Sequence, residues 1–388
     1  MWVLPADKQG SARSRAVPVL RSLPACRTAA SGERINGEYS VAPPIRNRWS
    51  TGSAAWQWEL TDDGSRTLWD ATLNESFHSG CGAVSETLIV YLSNSQVLSR
   101  LRQGLPCAVL EYGLGTATGF LLTAALAEHY RTPLVFTALE CSLLPSQIFA
   151  QLQLAESVAR CIAGGQAKTP VSDPQFALAE FAELPRLADA FCQQVAEWQQ
   201  PNAKFLARSA SSQQQPLVAR LSQFVELQLW LGDARGWSPL AASPDGMPCA
   251  VSRDPPSDLS SELASDLASD LASAFSRARP GDLHSGISGG MLGDGDGDTY
   301  SDTTANDRSI GAGFDAVYFD PFSPESNPEL WTAEVLAAAA SGLRPGGLLT
   351  SYCVKSTVRK ALQQCGLQVR KLAGPVGGKR EVLVAQRV

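Results

Sequence analysis

An acidic and an aromatic side chain stand close together in the segment Asp320-Pro321-Phe322-Ser323-Pro324. Residues 314–324 read as a buried strand that runs into a loop, and open α/β sheets bind ligands at the carboxyl ends of their strands. Asp320 offers a carboxylate that accepts hydrogen bonds from a substrate amine and takes its proton, and Phe322 offers a ring for a base. We therefore predict that Asp320 and Phe322 are catalytic. The alternative is a rigid loop whose Asp320 caps the next helix.

A second candidate site is the glycine-bearing loop at residues 113–119. Glycines let the backbone approach a ligand closely, and the start of the following helix offers free N–H groups. Such a loop suits a dinucleotide and S-adenosylmethionine alike. Thr118 stands where the dinucleotide fingerprint G-x-G-x-x-G has its third glycine. We expect this loop to bind a cofactor through Glu111, Gly113, Gly115 and Thr116.

Two more predicted strands end in acidic residues. Glu140 ends the strand Leu134–Glu140, a position that suits a ribose diol. Asp233, with Ala234 beside it, ends a strand predicted at 227–234 and could accept a hydrogen bond from an adenine amine. We assign all three residues to the cofactor. Glu140 as a helix cap or loop acid, and Asp233 as an ordinary turn acid, remain alternatives.

The elements around these residues alternate between strand and helix. Residues 107–111 predict a strand, 120–130 a helix and Leu134–Glu140 a second strand, which together define a parallel sheet. Residues 142–228 are helical in composition and predict an insertion or lid. The remaining predictions are a hairpin at 56–60 and 66–73, helices at 86–101, 327–343 and 355–366, a strand at 346–354, and a closing antiparallel hairpin at 367–374 and 379–388. In the helix at 327–343, Asn327 fits the N-cap and Gly342 the C-terminal stop.

Composition narrows the class of protein. The net charge of −6 argues against general electrostatic capture of nucleic acid but leaves room for a local basic patch. The nine cysteines form no C-x-x-C pair and only three histidines are present, so we expect no metal site and reduced thiols in a cytoplasmic protein. No apolar run reaches the ~18 residues of a membrane span, so we expect no membrane partner.

Two segments lack the periodicity of folded elements. Residues 1–50 are basic and rich in Arg, Ser and Pro, and we predict that they are disordered. Residues 240–312 contain an S-D-L-A repeat and a polar, glycine-rich stretch, which predicts a disordered insertion. The folded domain would then comprise residues 51–239 and 313–388.

Several of these segments resemble one known family in sequence and order: DGSRTLWDATLNESFHSGCGAVSETLIVYL, VLEYGLGTATGFLL, LQLWLGDA, FDAVYFDPFSPESNPELWT and GKREVLVA. They look like the methylase half of the MnmC family of bifunctional tRNA-modifying enzymes. The resemblance implies a class I S-adenosylmethionine-dependent methyltransferase of α/β, Rossmann-like fold with a helical insertion. It implies methylation of 5-aminomethyl-(2-thio)uridine at the wobble position of tRNA to 5-methylaminomethyl-(2-thio)uridine, with Asp320 as the catalytic carboxylate.

The chain also departs from that family. The family loop G-F-G-T-G-x-N-F has Phe, Gly and Asn where this chain has Leu114, Ala117 and Gly119. The flavin-dependent half is absent, so we expect a stand-alone methylase without FAD. Candidate tRNA contacts are Lys379 and Arg380, with Arg359, Lys360 and Lys371 as further basic residues. Two other classes remain open: an NAD-dependent oxidoreductase, which the closing hairpin argues against, and a non-catalytic RNA-binding relative.

Overall fold

A small antiparallel sheet opens the folded part of the chain. The structure, a computed structural model, describes residues 46–167, 176–200, 216–239 and 313–388. The four strands are β1 (Arg48–Ser50), β2 (Trp56–Leu60), β3 (Arg66–Asp70) and β4 (Glu75–Ser76). The predicted hairpin is confirmed, since β2 and β3 pair around a turn in which the Thr61 amide donates to the Ser65 carbonyl. The boundary expected at residue 50 is wrong by a few residues, because β1 pairs with β2.

The disorder predicted for residues 1–45 and 240–312 lies outside the described residues. It therefore stays a prediction. In the described ranges, no helix is long and apolar enough to span a membrane.

Among the described residues, eight strands form the central sheet, in the order β11-β12-β10-β9-β5-β6-β8-β7. The five inner strands β10, β9, β5, β6 and β8 are mutually parallel. The hairpin at the C-terminal end places β12 antiparallel between β10 and β11, as the sequence predicted. The strands are β5 (Cys107–Tyr112), β6 (Leu134–Glu140), β7 (Leu217–Arg220), β8 (Val225–Leu231), β9 (Phe314–Phe319), β10 (Leu343–Ser351), β11 (Leu367–Ala373) and β12 (Glu381–Arg387).

Helices cover both faces of this sheet, as a parallel sheet requires. The α-helices in the described residues are α1 (Ala83–Glu86), α2 (Val97–Arg102), α3 (Thr118–His129), α4 (Ser146–Gln151), α5 (Leu154–Ala163), α6 (Leu184–Trp198), α7 (Ala333–Ser341) and α8 (Ser356–Gln364). One buried cluster joins α2, α3 and α6 to the sheet, and another joins α7 and α8 to the other face. The described part of the insertion after β6 contains the helices α4, α5 and α6, as predicted, but β7 and the first residues of β8 also fall within the predicted range 142–228.

Two predicted helices differ from the structure, and one strand was not predicted. The helix expected at 86–101 is divided, because a π-helix occupies Thr87–Ser93 and Gln96 adopts a left-handed conformation before α2. Helix α7 begins after Thr332, whose side chain accepts a hydrogen bond from the Val335 amide, so Asn327 is not its N-cap. Asn327 instead precedes a short 3₁₀ turn, whereas Gly342 does end the helix. The edge strand β7 was not predicted, because its four residues lie in a stretch of helical composition.

Candidate functional site

The loop between β5 and α3 lies directly against the loop that follows β9. Gly113 has φ +88°, and a Cβ added to it would lie 3.1 Å from the Asp320 carbonyl oxygen. The Asp320 amide in turn donates to the Tyr112 carbonyl. Because β5 and β9 are parallel neighbours, their carboxyl ends bring the glycine loop and the Asp320 loop together. The two sites predicted separately from the sequence are therefore one site.

The backbone conformation of Ala117 shows how the loop accommodates one departure from the family sequence. It has φ +59°, in the left-handed region where glycine is favoured, and it immediately precedes α3. The loop therefore keeps a left-handed conformation at the position where the family has glycine. The Thr116 hydroxyl is buried and pairs with the Thr118 hydroxyl at 2.8 Å, so its side chain is already engaged within the loop.

Glu111 is a buried carboxylate behind this loop. Its Oε1 fills the space beside Gly119, 2.1 Å from where a Cβ would stand, and its Oε2 has no hydrogen-bond partner within the described part of the chain. Burial raises the pKa of Glu111 well above its usual range, and the nearby carboxylates Asp320 and Glu140 raise it further. A buried acceptor without a donor is costly, so this side chain suits a cationic ligand group.

Glu140 holds the glycine loop against the end of β6. Its Oε2 accepts from the Gly115 amide at 3.1 Å, and its Oε1 accepts from the Ser142 amide at 2.9 Å. A carboxylate has about four lone-pair sites, so hydroxyl donors of a ligand can still bind to it. Glu140 thus acts both as a loop acid and as a candidate ligand for a diol.

Asp233 is placed as a turn acid. Its carboxylate is about half exposed, forms an ion pair with Arg235 and accepts from the Arg235 amide at 2.9 Å, which caps the 3₁₀ turn Ala234–Gly236. The ion pair and hydrogen bonds with Arg235 lower the pKa of Asp233. The end of β8 still adjoins that of β6, since the Gly232 amide donates to the Glu140 carbonyl. Ala234 packs on the cluster beneath α7.

A cavity of about 170 Å³ opens beside the Asp320 loop. Phe77 and Phe322 meet in it edge to face, with ring centroids 5.0 Å apart. The Trp331 indole donates to the Phe322 carbonyl at 2.8 Å and fixes the loop from behind. The lining comprises three carboxylates, a lysine, a histidine and several aromatic and small residues: Glu75, Ser76, Phe77, His78, Ser79, Glu86, Asp320, Pro321, Phe322, Tyr352 and Lys379.

Asp320 is the most strongly perturbed acid of this cavity. Its Oδ1 accepts a hydrogen bond from the Tyr91 hydroxyl. Burial raises the pKa of Asp320 well above its usual range and the Glu86 carboxylate raises it further, while the bond from Tyr91 and the charge of Lys379 lower it. Such a carboxyl group is tuned to bind and exchange protons with a cationic or polar ligand.

Two residues of this cavity were missed by the sequence analysis. Glu86 accepts from the Ser79 amide at 2.7 Å, and burial raises its pKa. His78 pairs through Nδ1 with the Thr67 hydroxyl, and burial lowers its pKa to about 4, so it is neutral at physiological pH. Both stand in the ESFHS…SET segment that carries the family resemblance, but nothing in their spacing relates them to Asp320.

The candidate tRNA contacts are only partly brought to the cavity. Lys379 lines it, with Nζ 3.7 Å from the centre of the Tyr352 ring, whereas Arg380 is exposed outside the lining. Lys371 pairs with Glu381 at 2.6 Å, and Arg359 donates to the Val354 carbonyl. Of the predicted basic residues, Lys379 therefore has the clearest place in the site.

The sheet order, with its antiparallel strand β12 inserted beside β10, defines a class of fold. It is that of a Rossmann-like methyltransferase. Residues 299–388 match the model of a family described as S-adenosyl-L-methionine-dependent methyltransferase. In the described ranges, no group of three or more His, Cys, Asp or Glu side chains is arranged to hold a metal ion.

Two curated relatives are similar to short segments of the chain. The chain is 50% identical over 60 residues to the tRNA 5-methylaminomethyl-2-thiouridine biosynthesis bifunctional protein MnmC of Delftia acidovorans. The matched segment covers 16% of this chain and 9% of the relative. It is 42% identical over 71 residues to the MnmC protein of Nitrosospira multiformis, covering 18% and 11%. These matches span about a tenth of the relatives' length. Over these segments the chain is similar to the MnmC proteins.

A solved structure is also similar. The crystal structure of MNMC2 from Aquifex aeolicus superposes with a TM-score of 0.45 at 17% identity, over 87% of this chain and 72% of that one.

Proposed function

We propose that this protein methylates the aminomethyl group of 5-aminomethyl-(2-thio)uridine at the wobble position of tRNA, using S-adenosylmethionine. One observation carries the proposal: the cavity that contains Asp320 and Phe322 adjoins the glycine loop, with the Gly113 backbone in contact with that of Asp320. A methyl donor on the loop and an amine in the cavity would meet at this contact. The names of the MnmC relatives support tRNA as the substrate, and the cytoplasmic location expected from the sequence belongs to the same proposal.

The residues present fit S-adenosylmethionine. Oε2 of Glu111, which has no partner among the described residues, would accept a hydrogen bond from the ammonium group of the cofactor's methionine part. This bond would provide a donor for a buried acceptor. Glu140 would hold the ribose hydroxyls, and the backbone of Gly113 and Gly115 would lie against the ligand. Asp233 and Ala234 would border the adenine, provided that Asp233 shares its carboxylate with Arg235. When bound, the cofactor supplies an electrophilic methyl group.

The acceptor amine would be held by the acids of the cavity. Asp320 and Glu86 attract an ammonium group, and the edge-to-face pair Phe77 and Phe322 would contact the uracil ring. Attraction of the cation by itself raises the pKa of the amine and opposes its deprotonation. The catalytic benefit must therefore come from orientation and from proton transfer as the new bond forms.

The proton would pass to Oδ2 of Asp320. Tyr91 already donates to Oδ1, which leaves Oδ2 as the acceptor for the substrate. Asp320 would accept the proton that the amine loses when its lone pair takes the methyl group that the bound cofactor would supply. His78 is neutral and contributes no competing positive charge to the cavity.

The substrate is tested by mass spectrometry of tRNA nucleosides from cells that lack this protein. We expect 5-aminomethyluridine derivatives to accumulate and their methylated products to disappear. Restoring the protein should restore the products, whereas the Asp320→Asn variant should not. An unchanged nucleoside profile would contradict the proposed substrate.

The cofactor is tested separately by calorimetry. We expect the purified protein to bind S-adenosylmethionine and its demethylated product. Binding of NAD without a response to either of these would contradict a methyltransferase and favour an oxidoreductase.

The basic residues near the cavity give a testable prediction about tRNA. Charge reversal of Lys379 and Arg380 together should weaken tRNA binding and reduce the slope of log affinity against log salt by about 0.7–0.9 for each phosphate that is no longer neutralised. Charge reversal of Lys371, which is paired with Glu381, is the control and should change the slope less. An unchanged slope in the double variant would remove both residues from the tRNA interface.

A further inference from the structure

A π-helix at Thr87–Ser93 stands beside the cavity. The wide turn of a π-helix is seen in the hydrogen bond that the Asn94 amide donates to the Ile89 carbonyl, five residues earlier in the chain, at 3.1 Å. The π-helix is rare and occurs frequently at functional sites. Residues five apart lie far from each other around an α-helix, but this wider turn directs both Glu86 and Tyr91 towards Asp320: Glu86 lines the cavity, and Tyr91 donates to the Asp320 carboxylate.

Tyr91 is buried, and its surroundings keep it a hydrogen-bond donor. Its side chain is 1% exposed and its ring packs on that of Tyr318, with centroids 5.3 Å apart. Burial and the neighbouring carboxylates Asp320 and Glu86 raise the pKa of Tyr91 well above its usual range. The phenol therefore stays protonated throughout the physiological range and donates a hydrogen bond to Asp320.

We propose that Tyr91 is a positioning residue for Asp320: its hydroxyl fixes Oδ1 so that Oδ2 faces the amine in the cavity. The inference rests on the proposed function for its substrate, but the contact itself is a property of the protein alone. Without the hydroxyl, the Asp320 carboxylate would be free to rotate about its side-chain bonds, and orientation is the main benefit it offers.

The same bond affects the protonation of Asp320. Burial and Glu86 favour the neutral acid, whereas the bond from Tyr91 and the charge of Lys379 favour the carboxylate. Loss of the Tyr91 hydroxyl should therefore raise the pKa of Asp320 further and leave less carboxylate at a given pH. The titratable or charged groups around it are Glu75, His78, Glu86, Tyr91, Glu111, Tyr352 and Lys379.

The test is Tyr91→Phe, with Tyr318→Phe as the matched control. Tyr318 belongs to the same ring cluster, but its hydroxyl lies 3.4 Å from the Thr123 hydroxyl. In Tyr91→Phe we expect kcat for methyl transfer to an aminomethyl-bearing tRNA to fall about 10- to 100-fold, as for loss of a hydrogen bond to a charged group. The acid limb of the pH profile should move to higher pH, with KM for S-adenosylmethionine unchanged. Tyr318→Phe should leave the pH profile as in the wild type.

A second measurement does not depend on the substrate. In protein with ¹³C-labelled aspartate carboxyl groups, the Asp320 signal is identified by its loss in Asp320→Asn and followed against pH. We expect it to titrate at higher pH in Tyr91→Phe than in the wild type and in Tyr318→Phe. An unchanged titration, or an unchanged kcat and pH profile, would overturn the role of Tyr91 alone. A wild-type protein that methylates no amine-bearing tRNA would instead overturn the proposed function.

Discussion

Buried carboxyl groups determine the chemistry of the site at the scale of single residues. Asp320, Glu86 and Glu111 all have a pKa raised chiefly by burial, and at least one other carboxylate raises each of them further. Such a group of acids is costly in the free protein, and a cationic ligand relieves that cost. The site is thus suited to ligands with ammonium groups, which both the proposed cofactor and the proposed acceptor have.

Glu111 gives a prediction about stability and pH. Its raised pKa in the folded state favours the protonated form, so the wild-type protein loses stability as pH rises from the usual carboxyl range through the raised pKa. Glu111→Gln mimics the neutral form. Its free energy of unfolding without cofactor should exceed that of the wild type by about 1–3 kcal/mol at pH 8, the cost of an unsatisfied buried group. The difference should shrink towards pH 4.

Denaturant unfolding at several pH values measures this difference. Glu329→Gln, a change at an exposed acid, is the control and should show little dependence of its stability difference on pH. The same Glu111→Gln variant should bind S-adenosylmethionine more weakly. A stability difference independent of pH would show that the pKa of Glu111 is the same in the folded and the unfolded protein, which would contradict the effect of burial.

The sequence predicts Asp320, Phe322 and Glu111 as site residues because they stand at or just after the ends of predicted strands, where ligands bind. It does not predict Tyr91, which lies 229 residues from Asp320 in the chain. Their contact depends on how α1 and the π-helix pack against the sheet, and no local pattern reports that. The position of Asp233 after a strand was predicted, but the ion pair between its carboxylate and the neighbouring Arg235 was not.

At the scale of elements, the loop from β5 to α3 sets the geometry of the site. Gly113, Gly115 and Ala117 all have positive φ, so the chain turns sharply before α3 begins. The π-helix was not predicted because residues 86–101 have a periodicity that also fits an α-helix. The extra residue in its turns is a consequence of tertiary packing, so a single sequence does not reveal it.

The close approach of the two loops gives a prediction at Gly113. Gly113→Ala should destabilise the protein by roughly 1–3 kcal/mol, because it places a side chain at φ +88° and a Cβ 3.1 Å from the Asp320 carbonyl oxygen. Gly104→Ala is the matched control. Gly104 also has positive φ, +70°, but a Cβ there would have no neighbour within 4 Å.

Both variants should lose stability in thermal unfolding, but Gly113→Ala should lose more. Only Gly113→Ala should also reduce methyl transfer, because displacement of the Asp320 loop disturbs the cavity. Equal losses of stability, with methyl transfer unaffected, would show that the contact between the loops contributes neither to stability nor to methyl transfer.

At the scale of the whole molecule, the sequence predicted the kind of sheet but not the order of its strands. The alternation of strands and helices, ending in a hairpin, predicted both the parallel sheet and the antiparallel β12. The edge strand β7 was not predicted because its four residues show too little periodicity to be distinguished from the helical insertion. The starting point of the folded part was placed too late for the same reason, since β1 has only three residues.

The described residues that flank segment 240–312, Pro239 and Gly313, both lie near Gly342. A Cβ on Gly313 would lie 3.2 Å from the Gly342 carbonyl oxygen, and one on Gly342 would lie 3.5 Å from Cβ of Pro239. A short linker can therefore join Pro239 to Gly313. Replacing residues 240–312 with a short Gly/Ser linker should leave the melting temperature unchanged or raise it slightly, since each halving of a flexible loop contributes about 0.6 kcal/mol.

Thermal unfolding and calorimetry with S-adenosylmethionine measure this effect on stability and cofactor affinity. The control is a chain in which residues 240–312 are replaced by a Gly/Ser segment of equal length, which separates the effect of length from that of sequence. A large loss of stability in both chains would show that these residues pack on the domain.

The central claim is that Asp320 serves methyl transfer to a primary amine in the cavity. It is tested most directly by single-turnover transfer from S-adenosylmethionine to tRNA bearing 5-aminomethyl-2-thiouridine, compared between wild type and Asp320→Asn. Glu325→Gln, at an exposed acid of the same loop, is the control. We predict a rate lower by about 10²–10⁴ in Asp320→Asn, the usual contribution of a general base, with cofactor affinity largely retained and Glu325→Gln near the wild type. An Asp320→Asn rate close to that of the wild type would contradict the account.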